Sequence, residues 1–189
     1  MSDEPVLMEI ELQPESIPSQ MATAEDSPLD ETLEGAVVRL LKKHRLKVTT
    51  AESCTGGLVA ARLVNVAGAS EVFHEGFITY SNKAKRKYLD VKKRTLKAYG
   101  AVSRQTAYEM AVGGAAAADS DACVAVTGIA GPDGGTEEKP VGLVYIGVCV
   151  KNDVHIGEYH FSGDRRQVRE QAATRALELL QRCIMDRCE

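Results

Sequence analysis

The changes of hydrophobic period along the chain constrain its fold more than any single residue does. Residues 47–52 are rich in β-formers (Val48, Thr49, Thr50). They run through Ser53-Cys54-Thr55-Gly56-Gly57 into Leu58, Ala61 and Leu63, which recur at helical spacing. The order strand, tight turn, helix is thus written in one short stretch. Upstream, Leu33, Val37, Leu40 and Leu41 share one helical face that ends at His44-Arg45-Leu46. Downstream, residues 73–80 read as a strand, and Ser81 or Asn82 can cap a short helix after it. A helix is predicted from Arg104 to about Ala118, and its alanines with Gly113 and Gly114 imply close packing against a neighbour. A strand over 122–127 meets the glycine-rich loop that begins Gly128-Ile129-Ala130-Gly131. Strands over 141–150 and 154–161 are joined by Lys151-Asn152-Asp153 as a hairpin. A last helix starts near Asp164, with Val168, Ala172, Leu177, Leu180 and Ile184 on its buried side. Helices and strands in alternation, closed by a hairpin, predict a single-domain α/β fold: a three-layer α/β/α sandwich with a mixed β-sheet.

Composition agrees with that class. Of the 189 residues, 44% are hydrophobic and 26% charged, the profile of a soluble domain. No apolar run approaches the ~20 residues of a membrane span, and the acidic start Met1-Ser2-Asp3-Glu4-Pro5 is unlike a signal peptide. A cytoplasmic protein with no membrane contact is therefore expected. The five cysteines, at 54, 123, 149, 183 and 188, are odd in number and form no Cys-x-x-Cys pair. That argues against a disulfide framework or a zinc ribbon and for reduced thiols. Charge is uneven: residues 1–34 hold ten acids and no Lys or Arg, whereas the other 155 hold 17 acids and 23 bases. Residues 1–28 read as an acidic, disordered extension before a domain over 29–189, with 8–12 alternating like a short edge strand. The basic body suits an anionic small molecule, but it is too weakly basic and too poor in aromatics to imply nucleic acid.

Four segments carry chemistry. Ser53 stands at a strand-to-helix turn, where the N–H groups of Cys54, Thr55 and Gly56 can hold an oxyanion or a phosphate; alternatively, Ser53 only caps the helix. Cys54 is a rival nucleophile whose side chain should point away from that of the serine. Tyr80 and Lys83, three residues apart at a strand end, would reach the same side on a helical turn. A serine nucleophile needs a base, and the histidines are poorly placed; a lysine serves only if burial lowers its pKa. Lys85, Arg86, Lys87, Lys92 and Lys93 read as a solvated basic face. Thr127 and Gly128 open a loop at the end of a buried strand, where α/β folds form ligand clefts. Near the start of the last helix, an arginine of Asp164-Arg165-Arg166 can grip a phosphate bidentately or lie in solvent.

In combination, Ala51-Glu52-Ser53-Cys54-Thr55-Gly56-Gly57, Gly76-Phe77-Ile78-Thr79-Tyr80-Ser81-Asn82-Lys83, Gly100-Ala101-Val102-Ser103 and Thr127-Gly128-Ile129-Ala130-Gly131-Pro132 resemble the C-terminal domain of the competence/damage-inducible protein CinA, which also occurs alone as nicotinamide-nucleotide amidohydrolase. The resemblance implies hydrolysis of nicotinamide mononucleotide to nicotinic acid mononucleotide and ammonia, with no metal or other cofactor. It places the family's serine on Ser53, its tyrosine on Tyr80, its lysine on Lys83, its threonine on Thr127 and its arginine on Arg165. Cys54, Thr55, Gly56 and Gly128 would complete the substrate contacts. The alternative is a non-catalytic pyridine-nucleotide sensor. Many relatives fuse the domain to a larger N-terminal one, an activity not expected here. Small, Ala-rich helix faces make a homodimer the expected assembly.

Overall fold

The computed structural model describes residues 32–188. The acidic extension and the edge strand expected at 8–12 lie outside the described residues. The chain runs α1 (Leu33–Lys43), β1 (Val48–Glu52), α2 (Leu58–Val64), β2 (Phe73–Ile78), α3 (Asn82–Leu89), α4 (Lys93–Tyr99), α5 (Arg104–Ala117), β3 (Ala122–Gly128), β4 (Leu143–Val150), β5 (Asp153–His160) and α6 (Arg165–Cys188). A short 3-10 turn, Ala69–Glu71, precedes β2. Three of the helices begin at a side-chain cap. Thr32 Oγ1 accepts from Gly35 N to start α1, Ser81 Oγ accepts from Ala84 N to start α3, and Ser103 Oγ accepts from Thr106 N to start α5. The β4–β5 loop is tighter than expected. Only Lys151 and Asn152 lie between the strands, both at positive φ, which is the two-residue hairpin geometry matched to sheet twist.

The five strands lie in the order β2-β1-β3-β4-β5. Pairing is parallel from β2 to β1 and from β1 to β3, then antiparallel through β4 and β5, so the sheet is mixed as expected. The central strands are buried on both faces, and the pleat sorts their residues. Ala122, Val124 and Val126 face a core shared with α1, α2 and α6. Cys123 and Ala125 face a smaller core with Leu89, Val91, Met110 and Ala111 of the α3–α5 layer. That second face carries small residues because α5 comes very close: a Cβ on Gly114 would meet Cys123 Sγ at 2.6 Å, and one on Gly147 the Ala107 carbonyl at 2.7 Å. On the opposite layer, Arg62 of α2 donates to Glu34 of α1 at 2.8 Å and to Thr174 of α6 at 2.7 Å, clamping three helices together.

Candidate active site

The register decides where a site can form. Glu52 at the end of β1 lies opposite Ile78 at the end of β2 and Val126 of β3, which runs two residues further, so the carboxyl ends of three parallel strands gather at one edge. Ligand crevices open outside such carboxyl ends, and here a cavity of about 270 Å³ does so. Ser53, Cys54, Tyr80, Thr127, Gly128 and Arg165 all line it.

Ser53 follows β1 directly, and its N–H donates to Val126 O at 2.9 Å. Gly56 and Gly57 then turn the chain through φ +62° and +98°, values that glycine adopts without a Cβ penalty. Ser53 does not cap α2, whose N-cap is Gly57 and has no side-chain acceptor of its own. The acceptor is the fully buried Glu52 carboxylate, which receives the N–H groups of Gly57 (2.9 Å), Val59 (3.2 Å) and Ala60 (2.9 Å). Glu52 therefore occupies the positive end of α2 and leaves the serine hydroxyl free for other work. From α6, Arg169 donates to the carbonyls of Cys54 (Nε, 3.0 Å) and Thr55 (Nη2, 2.7 Å), fixing the turn from behind.

The amine that meets Ser53 is not Lys83 but Lys85, and the sequence expectation is corrected here. Lys85 Nζ donates to Ser53 Oγ at 2.8 Å and to Thr79 O at 2.7 Å. Its side chain is 0% exposed, and burial pulls its pKa down to about 8, against a smaller upward pull from Cys54. Lys83, in the first turn of α3, is exposed and does not line the cavity. Residues two apart on a helix lie about 200° apart around its axis, so the two lysines face opposite ways. A sequence signal for Lys85 exists. Leu89, four residues on, is the buried apolar residue of α3, and an i,i+4 partner shares its inward face.

The other expected residues divide. Thr127 is almost wholly buried, and its hydroxyl donates to Ala101 O at 2.8 Å, tying β3 to the 101–102 segment that also lines the cavity. Tyr80 is 62% exposed, and its hydroxyl accepts from Arg165 Nη2 at 2.8 Å while Arg165 Nη1 donates to Gly131 O at 2.6 Å. Among the described residues no carboxylate forms an ion pair with Arg165, and Asp133 is the acid that lines the same cavity. Thr55 and Gly56 fall outside the lining: the Thr55 side chain is fully buried, with no hydrogen-bond partner for its hydroxyl. Burial pushes the Cys54 thiol up to about 11, so it is protonated at neutral pH, and the Lys85 amine is hydrogen-bonded to the Ser53 hydroxyl instead. Sequence reasoning also missed Glu52 and Arg169, whose work is done on backbone atoms and leaves no spacing pattern.

The family model of the CinA C-terminal domain matches residues 30–184. The chain belongs to the CinA C-terminal domain family. It is 58% identical over 151 residues to a competence-damage inducible protein of Clostridium novyi (strain NT), a match covering 80% of this chain and 36% of that relative. A second relative, the CinA-like protein of Kosmotoga olearia, is 54% identical over 82% of this chain and 38% of its own length. The chain thus spans little more than a third of the length of these curated relatives. Among solved structures, the competence/damage inducible protein CihA from Agrobacterium tumefaciens superposes with a TM-score of 0.77 at 42% identity, covering 86% of this chain and 99% of that one. Family membership accords with the three-layer fold. Among the described residues no helix is long and apolar enough to cross a membrane.

Proposed function

We propose that this domain hydrolyses the carboxamide of nicotinamide mononucleotide, with Ser53 as nucleophile and Lys85 as base. One observation carries the reading: a fully buried lysine amine lies 2.8 Å from a serine hydroxyl inside a cavity at the strand ends. A lysine held near neutrality is competent to take a hydroxyl proton, which an exposed one with its ordinary pKa is not.

In the proposed cycle neutral Lys85 accepts the Ser53 proton as Oγ bonds to the carboxamide carbon. The main-chain N–H of Cys54, in the turn held by Arg169, stabilises the oxyanion; the donors of Gly57, Val59 and Ala60 are already taken by Glu52. The tetrahedral adduct collapses, its C–N bond breaks, and Lys85 returns the proton to the leaving nitrogen, so ammonia departs. Water then gives a proton to Lys85 and attacks the acyl-serine; Ser53 recovers its proton and nicotinic acid mononucleotide is released. Arg165, with Tyr80 beside it, is the proposed partner of the substrate phosphate.

The deciding assay measures ammonia released from nicotinamide mononucleotide by purified protein with a chelator present. Wild type and Lys83→Ala should turn over. Ser53→Ala, which lacks the nucleophile, should fall at least ~10⁴-fold. Saturable nucleotide binding without ammonia would replace the amidase with a sensor. Unchanged turnover in Ser53→Ala would remove the mechanism.

A further inference from the structure

The layer formed by α3, α4 and α5 carries a lopsided charge. Between residues 83 and 99 the chain holds eight bases and one acid, Asp90. Lys85 is buried in the site, and the other seven bases stand exposed. Beneath them an open groove of about 460 Å³ lies between the end of α3 and the middle of α5. Leu89, Tyr88, Tyr108 and Val112 line it, and Lys87 and Lys92 stand along it. Tyr108 is 49% exposed and Val112 38%, one turn apart on α5, so the helix presents an uncovered apolar strip. The acids nearby are already engaged. Asp90 pairs with Lys92, and Glu109 accepts from Lys92 N and Thr95 Oγ1. Lys87 donates to the Tyr88 hydroxyl and has no carboxylate partner among the described residues. An apolar groove edged with cations calls for a ligand that is both apolar and acidic.

The chain itself contains such a ligand. Residues 1–31 hold nine acids and no Lys or Arg, and within them Val6-Leu7-Met8-Glu9-Ile10-Glu11-Leu12 interleaves apolar side chains with carboxylates. We propose that this segment docks on the α3–α5 groove of its own chain, its apolar side chains over Tyr88, Tyr108 and Val112 and its carboxylates toward Lys87 and Lys92. Reach does not forbid it. The residues between Leu12 and Thr32 extend up to about 65 Å, and a body of this size is roughly 40 Å across. Thr32 starts α1, in the layer across the sheet from the groove, so the linker has to pass round the edge of the body. Tethering raises the local concentration of such a segment to about the millimolar range, where a few apolar contacts and ion pairs suffice.

The proposal is independent of the reaction, and its test reads no turnover. Amide hydrogen exchange is followed on the full chain at low salt and at half-molar salt. Residues 6–12 should exchange at least ~10-fold more slowly at low salt than in Lys87→Glu/Lys92→Glu. Adding Glu9→Lys/Glu11→Lys to that double variant should restore the protection. Ile10→Asp, which leaves the described body untouched, should lose it. Equal exchange of residues 6–12 in wild type and in Lys87→Glu/Lys92→Glu would overturn the proposal. Protection that vanishes on dilution, as light scattering records a dimer dissociating, would overturn it in favour of a second copy in the groove.

Discussion

A lysine amine sealed inside a protein destabilises it wherever the amine is charged, and Lys85 sets a measurable sign. Its folded pKa of about 8 lies below the ordinary lysine value, so the unfolded chain holds the proton to higher pH. Stability therefore rises as pH climbs from about 8 toward about 10.4, and below 8 the folded state carries a penalty on the order of 3 kcal/mol. Lys85→Met keeps the length and removes the charge. It should raise Tm at pH 7 by several degrees, less what the lost bonds to Ser53 and Thr79 contributed. The gain should shrink by pH 10. Melts of both proteins at the two pH values check this; a Tm gain no larger at pH 7 than at pH 10 would mean that the amine bears no burial penalty. In the ammonia assay, the same pKa makes wild-type activity climb with pH and level off above about 8. Lys85→Met should be inactive where Lys83→Ala is not. Ser53 was legible in the sequence because a turn between a β-rich run and a helical period singles it out. Its partner was not, because Lys85 sits inside a run of bases, and only the i,i+4 relation to Leu89 separates the inward lysine from the outward ones.

At the scale of elements, the β-rich runs and amphipathic stretches of the sequence lie where the strands and long helices form, because each has a sustained period. α4 is the exception. Lys-Arg-Thr-Leu-Lys-Ala-Tyr has too little apolar content to show a period, and the helix is held instead through Thr95, whose hydroxyl donates to Glu109 of α5 at 2.7 Å. Gly113 and Gly114 were readable as a close contact, and the geometry gives that reading a sharp consequence. A Cβ on Gly113 would stand 1.8 Å from the Leu89 carbonyl oxygen, a backbone atom that cannot swing aside. Gly→Ala inside a helix ordinarily gains ~1 kcal/mol. Gly113→Ala should instead lose at least about 2 kcal/mol through overpacking, read as a lower urea midpoint at unchanged slope. Since α3 carries Lys85 and ends at Leu89, the variant should also disturb the Ser53–Lys85 contact. A midpoint at or above wild type would show that α3 yields without cost.

For the whole molecule, the alternation of elements was enough to predict layers but not the strand order. Placing β1 between β2 and β3 depends on tertiary pairing, and that placement brings Ser53, the Thr79–Tyr80 segment and Thr127 to one edge. Arg165 closes the arrangement from far along the chain. It reaches Tyr80, 85 residues earlier, and Gly131, 34 residues earlier, with the two Nη atoms of one planar guanidinium. Both partners are neutral oxygens, so the charge is held in position without being cancelled. If it grips the phosphate of a nucleotide substrate, Arg165→Ala should raise KM by about 10–100-fold, the range of a lost charge-assisted contact, with a smaller change in kcat. Arg165→Lys retains the charge but has one donor centre for two acceptors, so it should recover only part of the loss. Titrating nicotinamide mononucleotide into Ser53→Ala with and without Arg165→Ala isolates binding from chemistry. Equal affinities in that pair would assign Arg165 to holding Tyr80 and the Gly131 loop, and the substrate phosphate would then have to meet its cation elsewhere on the rim.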